Sequence, residues 1–331
     1  MYDLEETHLI EEIRNRSARR VLLQFPEGLK SSASILAERL GQKTGAEVFV
    51  SGDSCYGACD LALLQMQQLQ ADLLIHIGHA EIPGQKATNV LYVEARSDEK
   101  IEKPLEDALK LLKQEKKVGL VACVQHLNLL EAAKDMLERA GKVVVVGKPS
   151  GWLTYEGQVL GCDHGGFSAA SDIDAFLVVA GGDFHTVGVS ITSDKKTVVA
   201  DPYQQTARDV TSLVRKILRQ RYATILRFKE TKRVGIVAGL KSGQMNLALA
   251  RRLKILLEEN GKICTLIAAL ELVPASLESF TDLDGFVEIA CPRISIDDRG
   301  RYQKPILNPE EVLIAIGDKS WEEYVGYPKE T

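Results

Sequence analysis

Residues 234–267 read VGIVAGLKSGQMNLALARRLKILLEENGKICTLI. A short apolar run is followed by a glycine-bounded turn, then by apolar residues three or four apart, a second glycine and a second apolar run. This order predicts strand, helix, strand, the right-handed crossover unit of a parallel sheet. Residues 118–146 (VGLVACVQHLNLLEAAKDMLERAGKVVVV) repeat it closely, and residues 21–50 (VLLQFPEGLKSSASILAERLGQKTGAEVFV) more loosely. Later in each copy comes a buried run led by aspartate: DLLIHIGH from Asp72, DAFLVVAGG from Asp174 and DGFVEIACP from Asp284. The offsets between these aspartates describe a domain-sized repeat, because solenoid units are shorter.

Working outward, the runs at 21–25, 46–50, 72–78, 118–124, 142–147, 174–180, 234–238, 262–268 and 284–290 suit strands buried on both faces. Extended pieces at 89–95, 196–202 and, less clearly, 304–309 add a fourth strand to each copy. The fold class expected is α/β, with three repeated small α/β domains, each a mostly parallel sheet flanked by helices, packed around a central site. The domains are expected at 1–100, 101–210 and 211–331, with boundaries near 98–103 and 205–230. The second boundary includes LVRKILRQRYATILRFKE, which reads as a long connecting helix. The last dozen residues read as a surface tail.

Composition narrows the function classes. The chain has 331 residues, a net charge of −5 and scattered basic residues, so it shows no nucleic-acid stripe. The N-terminal MYDLEETHLIEEIRNRSARR lacks the apolar core of a signal peptide, and no run approaches a membrane span. A cytoplasmic location is expected. Six cysteines in such a chain point to buried thiols, metal ligands or redox groups before a disulfide framework.

Three cysteines, Cys59, Cys162 and Cys291, fall one in each third of the chain. Cys59 and Cys162 precede Asp72 and Asp174 by 13 and 12 residues, whereas Cys291 follows Asp284 by seven. In open α/β sheets ligands sit beyond the carboxyl ends of strands, where such loops converge. Packing of the repeats with those loops inward would gather three thiolates. Structural zinc wants four ligands, commonly in two local pairs that are missing here. A 4Fe-4S cluster held by three thiolates keeps one iron open for a substrate such as S-adenosylmethionine. The single-loop CxxxCxxC pattern of usual radical enzymes is absent, since only Cys55 and Cys59 have the required spacing.

GDSCYGACD at 52–60, GHAEIP at 78–83, LGCDHG at 160–165, GLKSGQ at 239–244 and ACPRISIDD at 290–298 together resemble the archaeal diphthamide-synthesis radical enzymes, the 2-(3-amino-3-carboxypropyl)histidine synthase family. The similarity runs in order over essentially the whole chain. It implies a homodimer of three-domain subunits, each holding one 4Fe-4S cluster through Cys59, Cys162 and Cys291. It also implies radical transfer of the 3-amino-3-carboxypropyl group from S-adenosylmethionine to carbon-2 of a histidine imidazole in translation elongation factor 2. The product 5′-methylthioadenosine leaves, and an electron donor is required. Two readings compete: a zinc-binding scaffold using the same cysteines, and a three-domain small-molecule-binding protein in which they are incidental.

The remaining candidates have plainer alternatives. Pro26, Glu27 and Gly28 in one turn, and Gly239, Lys241, Gly243 and Gln244 in another, each follow a first strand and open a helix, where backbone N–H groups can hold the cofactor. An ordinary strand-to-helix turn explains them too. His79 stands at the same offset from Asp72 as Cys291 from Asp284, which points it toward the centre or else to a backbone partner. His76 reads as structural. His164 adjoins Cys162 and is placed to tune a cluster. Arg293, Asp297 and Asp298 follow Cys291 and suit either the cofactor's charged ends or a surface salt bridge. Cys55 reads as a spare loop thiol, and Cys123 and Cys264 as core residues inside apolar strands.

Overall fold

The computed structural model describes residues 2–85, 87–164, 172–193 and 195–325. It divides into two compact units, residues 1–182 with 198–208, and residues 183–197 with 209–331.

The first unit opens with α1 (Glu6–Asn15), β1 (Arg20–Gln24), α2 (Ala33–Thr44), β2 (Glu47–Val50), α3 (Leu63–Gln68), β3 (Leu73–Ile77) and β4 (Val90–Val93). The four strands are parallel in the order β2-β1-β3-β4. Then come α4 (Glu102–Leu111), β5 (Lys117–Ala122), α5 (Leu130–Arg139), β6 (Val143–Val146) and β7 (Ala175–Val179). With β8 (Lys196–Asp201) and β9 (Thr206–Asp209) they form a sheet of order β6-β5-β7-β8-β9.

The second unit contains α6 (Phe184–Ile191) and α7 (Thr211–Lys229), then β10 (Arg233–Gly239), α8 (Leu247–Glu259), β11 (Ile263–Ala269), α9 (Pro274–Glu278) and β12 (Gly285–Ile289). After α10 (Pro292–Asp297), β13 (Ile306–Leu307), α11 (Pro309–Ile316) and α12 (Trp321–Val325) complete it. Its parallel sheet has the order β11-β10-β12-β13. All three sheets therefore place their second strand outside the first and their third strand inside it, the same order in each repeat. Each repeat carries one sheet, and compactness groups the first two sheets in one unit.

The repeated aspartates close the amino-terminal edge of each sheet. One carboxylate oxygen of Asp72 accepts hydrogen bonds from the backbone N–H groups of Arg19 and Arg20, at 2.7 and 2.8 Å. Asp174 does the same with Lys116 and Lys117, both at 2.8 Å, and Asp284 with Lys232 and Arg233, at 2.9 and 2.8 Å. Each aspartate thus satisfies donors that the entering strand would leave unpaired.

Across the central strand pair, size is complementary. Leu22 faces Leu74, Gly119 faces Phe176 and Gly235 faces Phe286. A Cβ at Gly119 would lie 2.7 Å from Phe176, and one at Gly235 would lie 2.8 Å from Phe286. Two medium side chains in the first repeat are replaced in the others by a large one over a glycine, which keeps the layer filled.

Three expectations change. The strands at 46–50, 142–147 and 262–268 are not buried on both faces: β2, β6 and β11 are sheet edges, and Val143, Ile263 and Leu266 are exposed. Their apolar runs resemble central strands because one face still packs on a helix. β9 lies where a linker was expected, just before the predicted connecting helix α7. The terminal dozen is not a surface tail throughout, because α12 occupies Trp321–Val325 and buries Val325; residues 326–331 lie outside the described residues.

No described helix is long and apolar enough to cross a membrane.

Candidate metal centre and cofactor loops

Each of Cys59, Cys162 and Cys291 follows the carboxyl end of a strand, β2, β6 and β12 respectively. Their side chains reach water to differing degrees: Cys162 is exposed and Cys59 and Cys291 are half-buried. The other three are buried. Cys123 sits just past β5 instead of inside it, and burial pushes its thiol up to about 12, far from the thiolate form that ligates metal. Burial also raises the Cys264 thiol. The accessible set, one thiol per sheet, fits an iron–sulfur ligand set, whereas the buried Cys123 and Cys264 do not.

Each cysteine loop is held by a neighbouring acid or amide. Around Cys59, the Gln24 side chain at the end of β1 donates to the Asp60 carbonyl at 2.6 Å and accepts from the Ala62 N–H at 3.1 Å. Asp60 itself accepts from the Tyr56 N–H at 3.3 Å. Around Cys162, the Asp163 carboxylate accepts from the Trp152 N–H at 2.8 Å, and Gly151 takes a positive φ of 60° where a Cβ would meet that carboxylate. Residues 157–159 are tied to the end of β5 by the Ala122 N–H to Gly157 carbonyl bond and its reciprocal from Val159. LGCDHG extends to Gly165, which lies outside the described residues, so only 160–164 is placed.

Cys291 precedes α10, and its carbonyl accepts from the Ile294 N–H at 2.9 Å. The wholly buried Glu288 carboxyl accepts from the Ala290 N–H at 3.1 Å. Burial first, and then the charge of Glu311, hold its affinity for a proton well above the usual carboxylate range. Gly239 is required beside this turn, since a Cβ there would lie 2.7 Å from the Ala290 methyl.

Several predicted cofactor residues gather at the carboxyl edge of the first sheet. Pro26 starts a short 3-10 helix, Glu27–Ser32, and Glu27 pairs with Lys30 at 2.6 Å. Lys30 also donates to the carbonyls of Gly52 and Asp53, joining this turn to the Cys59 loop. Gly28 is exposed, with open space where a Cβ would stand. Gly78, at φ 90°, packs against the Pro26 ring, which brings His79 to the same edge. His79 Nδ1 lies 3.0 Å from His76 Nε2, and His76 Nδ1 lies 2.8 Å from Gln24 Oε1. Burial lowers His76 well below its ordinary value and His79 to about 4, so both rings are neutral.

In the second unit, Lys241 pairs with Glu271 at 2.6 Å with little of its side chain exposed, and the Gln244 N–H donates to the Lys241 carbonyl at 3.0 Å. Gly239, Lys241, Gly243 and Gln244 thus form one turn at the end of β10. Arg293 is not a surface residue as the salt-bridge alternative supposed. It is buried, grips Asp297 through two bonds of 2.6 and 2.8 Å, and lies 4.3 Å from the Phe184 ring centre. Asp298 pairs instead with Arg301 at 3.1 Å.

Sequence reading missed Arg221 and Glu311, a buried pair with bonds of 2.7 and 2.5 Å. Nothing in local periodicity connects α7 with α11. It also left Cys55 as a spare thiol, whereas its sulfur and a ring nitrogen each of His76 and His79 lie within 4.8 Å of one another.

Fold and site define an α/β protein built of three sheet-bearing repeats, each presenting an accessible cysteine beyond a strand's carboxyl end. A family model described as "Putative diphthamide synthesis protein" matches residues 25–325, and the chain belongs to that family. It is 30% identical over 335 residues to the 2-(3-amino-3-carboxypropyl)histidine synthase of Pyrococcus horikoshii, covering 100% of this chain and 96% of that protein. Subunit 1 of the Schizosaccharomyces pombe synthase is also 30% identical, over 97% of this chain and 75% of its own length. The crystal structure of Dph2 from Pyrococcus horikoshii with 4Fe-4S cluster superposes with a TM-score of 0.88 at 30% identity, covering 100% of this chain and 97% of that one.

Proposed function

We propose that this protein is a 2-(3-amino-3-carboxypropyl)histidine synthase that catalyses the first step of diphthamide biosynthesis. It transfers the 3-amino-3-carboxypropyl group of S-adenosylmethionine to carbon-2 of a histidine imidazole in translation elongation factor 2, releasing 5′-methylthioadenosine. The observation that carries this reading is end-to-end similarity, in sequence and in fold, to a protein crystallised with a 4Fe-4S cluster. The placement of Cys59, Cys162 and Cys291 as the three cysteines that are not buried supports it.

In this reading Cys59, Cys162 and Cys291 hold the cluster. When bound, a cluster with three protein thiolates supplies an electron through an iron that remains open to S-adenosylmethionine. The chain's own task is positioning. Gln24 with Asp60, Asp163, and Glu288 fix the three cysteine loops through backbone bonds. Gly239, Lys241, Gly243 and Gln244 form one candidate cofactor turn, and Pro26, Glu27, Gly28 and His79 another. Exposed Gly28 offers an unobstructed backbone to the amino-acid end of the cofactor. A homodimer, an external electron donor and a cytoplasmic setting complete the proposal.

The test is anaerobic reconstitution followed by absorption and electron paramagnetic resonance before and after dithionite. S-adenosylmethionine is then added, and 5′-methylthioadenosine is measured with elongation factor 2. Cluster loading and product formation that both disappear in Cys59→Ser, Cys162→Ser and Cys291→Ser support the proposal. A colourless zinc protein, or product formation that survives any of these substitutions, overturns it and returns the scaffold or small-molecule-binding readings.

A further inference from the structure

The carboxyl edge of the first sheet carries a second group of metal-ligating side chains, outside the three-cysteine set. Cys55 is buried in the loop after β2, His76 is wholly buried in β3, and His79 follows β3. The Cys55 sulfur and one ring nitrogen from each histidine all lie within 4.8 Å of one another.

The hydrogen bonds around Gln24 fix the histidine tautomers. The Asp60 carbonyl requires an N–H from Gln24, and the Ala62 N–H requires the Gln24 carbonyl oxygen, so the amide orientation is determined. The Gln24 oxygen then accepts from His76 Nδ1. His76 Nε2 is left as the lone-pair nitrogen, pointing at His79. A histidine that donates one ring N–H to a carbonyl while directing its other nitrogen at a shared centre has the support that metal-bound imidazoles commonly have. His76 Nε2 and His79 Nδ1 are 3.0 Å apart. Ligands of a tetrahedral ion at metal–nitrogen distances of about 2.0–2.1 Å stand roughly 3.3 Å apart, close to this separation. For a sulfur at about 2.3 Å the corresponding edge is roughly 3.6 Å, so the closure needed at Cys55 is at most on the order of 1 Å.

We propose that Cys55, His76 and His79 form a site for one divalent late-transition ion of the zinc, cobalt or ferrous class, distinct from the site of Cys59, Cys162 and Cys291. One thiolate and two imidazoles are a donor set of borderline softness that suits such ions and excludes calcium and magnesium. Three protein ligands leave a fourth position for water or another small ligand. On binding, the Cys55 S–H bond breaks and its proton goes to solvent, while the sulfur–metal bond forms with that electron pair. His76 keeps its Nδ1 proton on Gln24 and gives its Nε2 lone pair. His79 moves its proton from Nδ1 to Nε2 as Nδ1 takes the ion. No oxidant or reductant is needed, and one proton is released per ion.

The site shares His79 with one proposed cofactor turn and leans on the same Gln24 that holds the Cys59 loop, but its test reads metal binding and does not use the synthase activity. Full-length protein carrying Cys59→Ser, Cys162→Ser and Cys291→Ser is titrated anaerobically with cobalt(II). The expected result is one saturable equivalent with a thiolate-to-cobalt charge-transfer band, visible d–d bands of tetrahedral intensity, and one proton released. Adding Cys55→Ser should abolish the charge-transfer band and weaken binding at least tenfold; His79→Gln should weaken binding while leaving any residual charge-transfer band. Circular dichroism confirms that each variant is folded. Should the triple background not fold, the same comparison is made between wild-type chain and Cys55→Ser alone, reading the difference in cobalt bound. Absence of saturable binding, or binding and spectra unchanged by Cys55→Ser, overturns the proposal.

Discussion

The carboxylate of Asp284 grips the backbone N–H of Arg233 at 2.8 Å, and the N–H of Asp284 in turn donates to the Arg233 carbonyl at 2.8 Å. Asp72 makes the matching pair with Arg20. Bonds from the backbone N–H groups lower both carboxyls. Because the folded value lies below the unfolded one, near 3.9, the stabilisation is present above that pH and is lost as pH falls through the folded value. Asp72→Asn and Asp284→Asn should therefore lower stability at pH 7 by about 1 kcal/mol each, since both groups face water. The gap to wild type should narrow below pH ~4. Urea midpoints measured across this range check it.

Gly235→Ala should destabilise the second unit by about 1–3 kcal/mol. The added methyl would lie 2.8 to 2.9 Å from Phe286, Ile267 and Leu283, all carbon atoms inside a packed layer. Pairing it with Phe286→Leu, which imitates the Leu22 and Leu74 arrangement of the first sheet, should recover part of that loss. A double-mutant cycle by denaturant titration reads the recovery.

Arg221→Met alone should cost about 3–5 kcal/mol, because it leaves the wholly buried Glu311 carboxylate without its cation. Arg221 also donates to the Ile306 carbonyl at 2.7 Å, and Glu311 completes the capping box that starts α11. The double variant Arg221→Met with Glu311→Gln should be less destabilised than the sum of the single changes. Thermal unfolding of the three variants measures the coupling.

Thiol alkylation of metal-free protein should label Cys162 first, then Cys59 and Cys291, with Cys123 and Cys264 protected until unfolding. Exposure and thiolate fraction both act in this direction, since burial pushes the Cys123 thiol up to about 12. Peptide mapping after timed quenching gives the order. Cluster reconstitution should slow labelling of the three proposed ligands alone.

Much of the fold is legible in the sequence because strand and helix periods are local. The Asp-led runs, the glycine stops and the short apolar runs locate twelve of the thirteen strands among the described residues. β9, TARD, escapes because four mixed residues carry no periodic signal. The edge positions of β2, β6 and β11 escape for another reason: an apolar run states that a strand has something to bury, and the strand order decides which face is covered.

The site divides in the same way. From sequence alone came one singled-out cysteine in each repeat, the turns that follow the first strands, and the family resemblance now matched over residues 25–325. Cys123 and Cys264 already read as core residues in the sequence, but only the tertiary structure showed that Cys55 is buried with them and that Cys59, Cys162 and Cys291 stay accessible. It alone set Gln24 beside His76 and Arg221 beside Glu311, pairs separated by 52 and 90 residues. Backbone periodicity depends on neighbours a few positions away, whereas burial and hydrogen-bond pairing depend on which distant segments the packed sheets bring together.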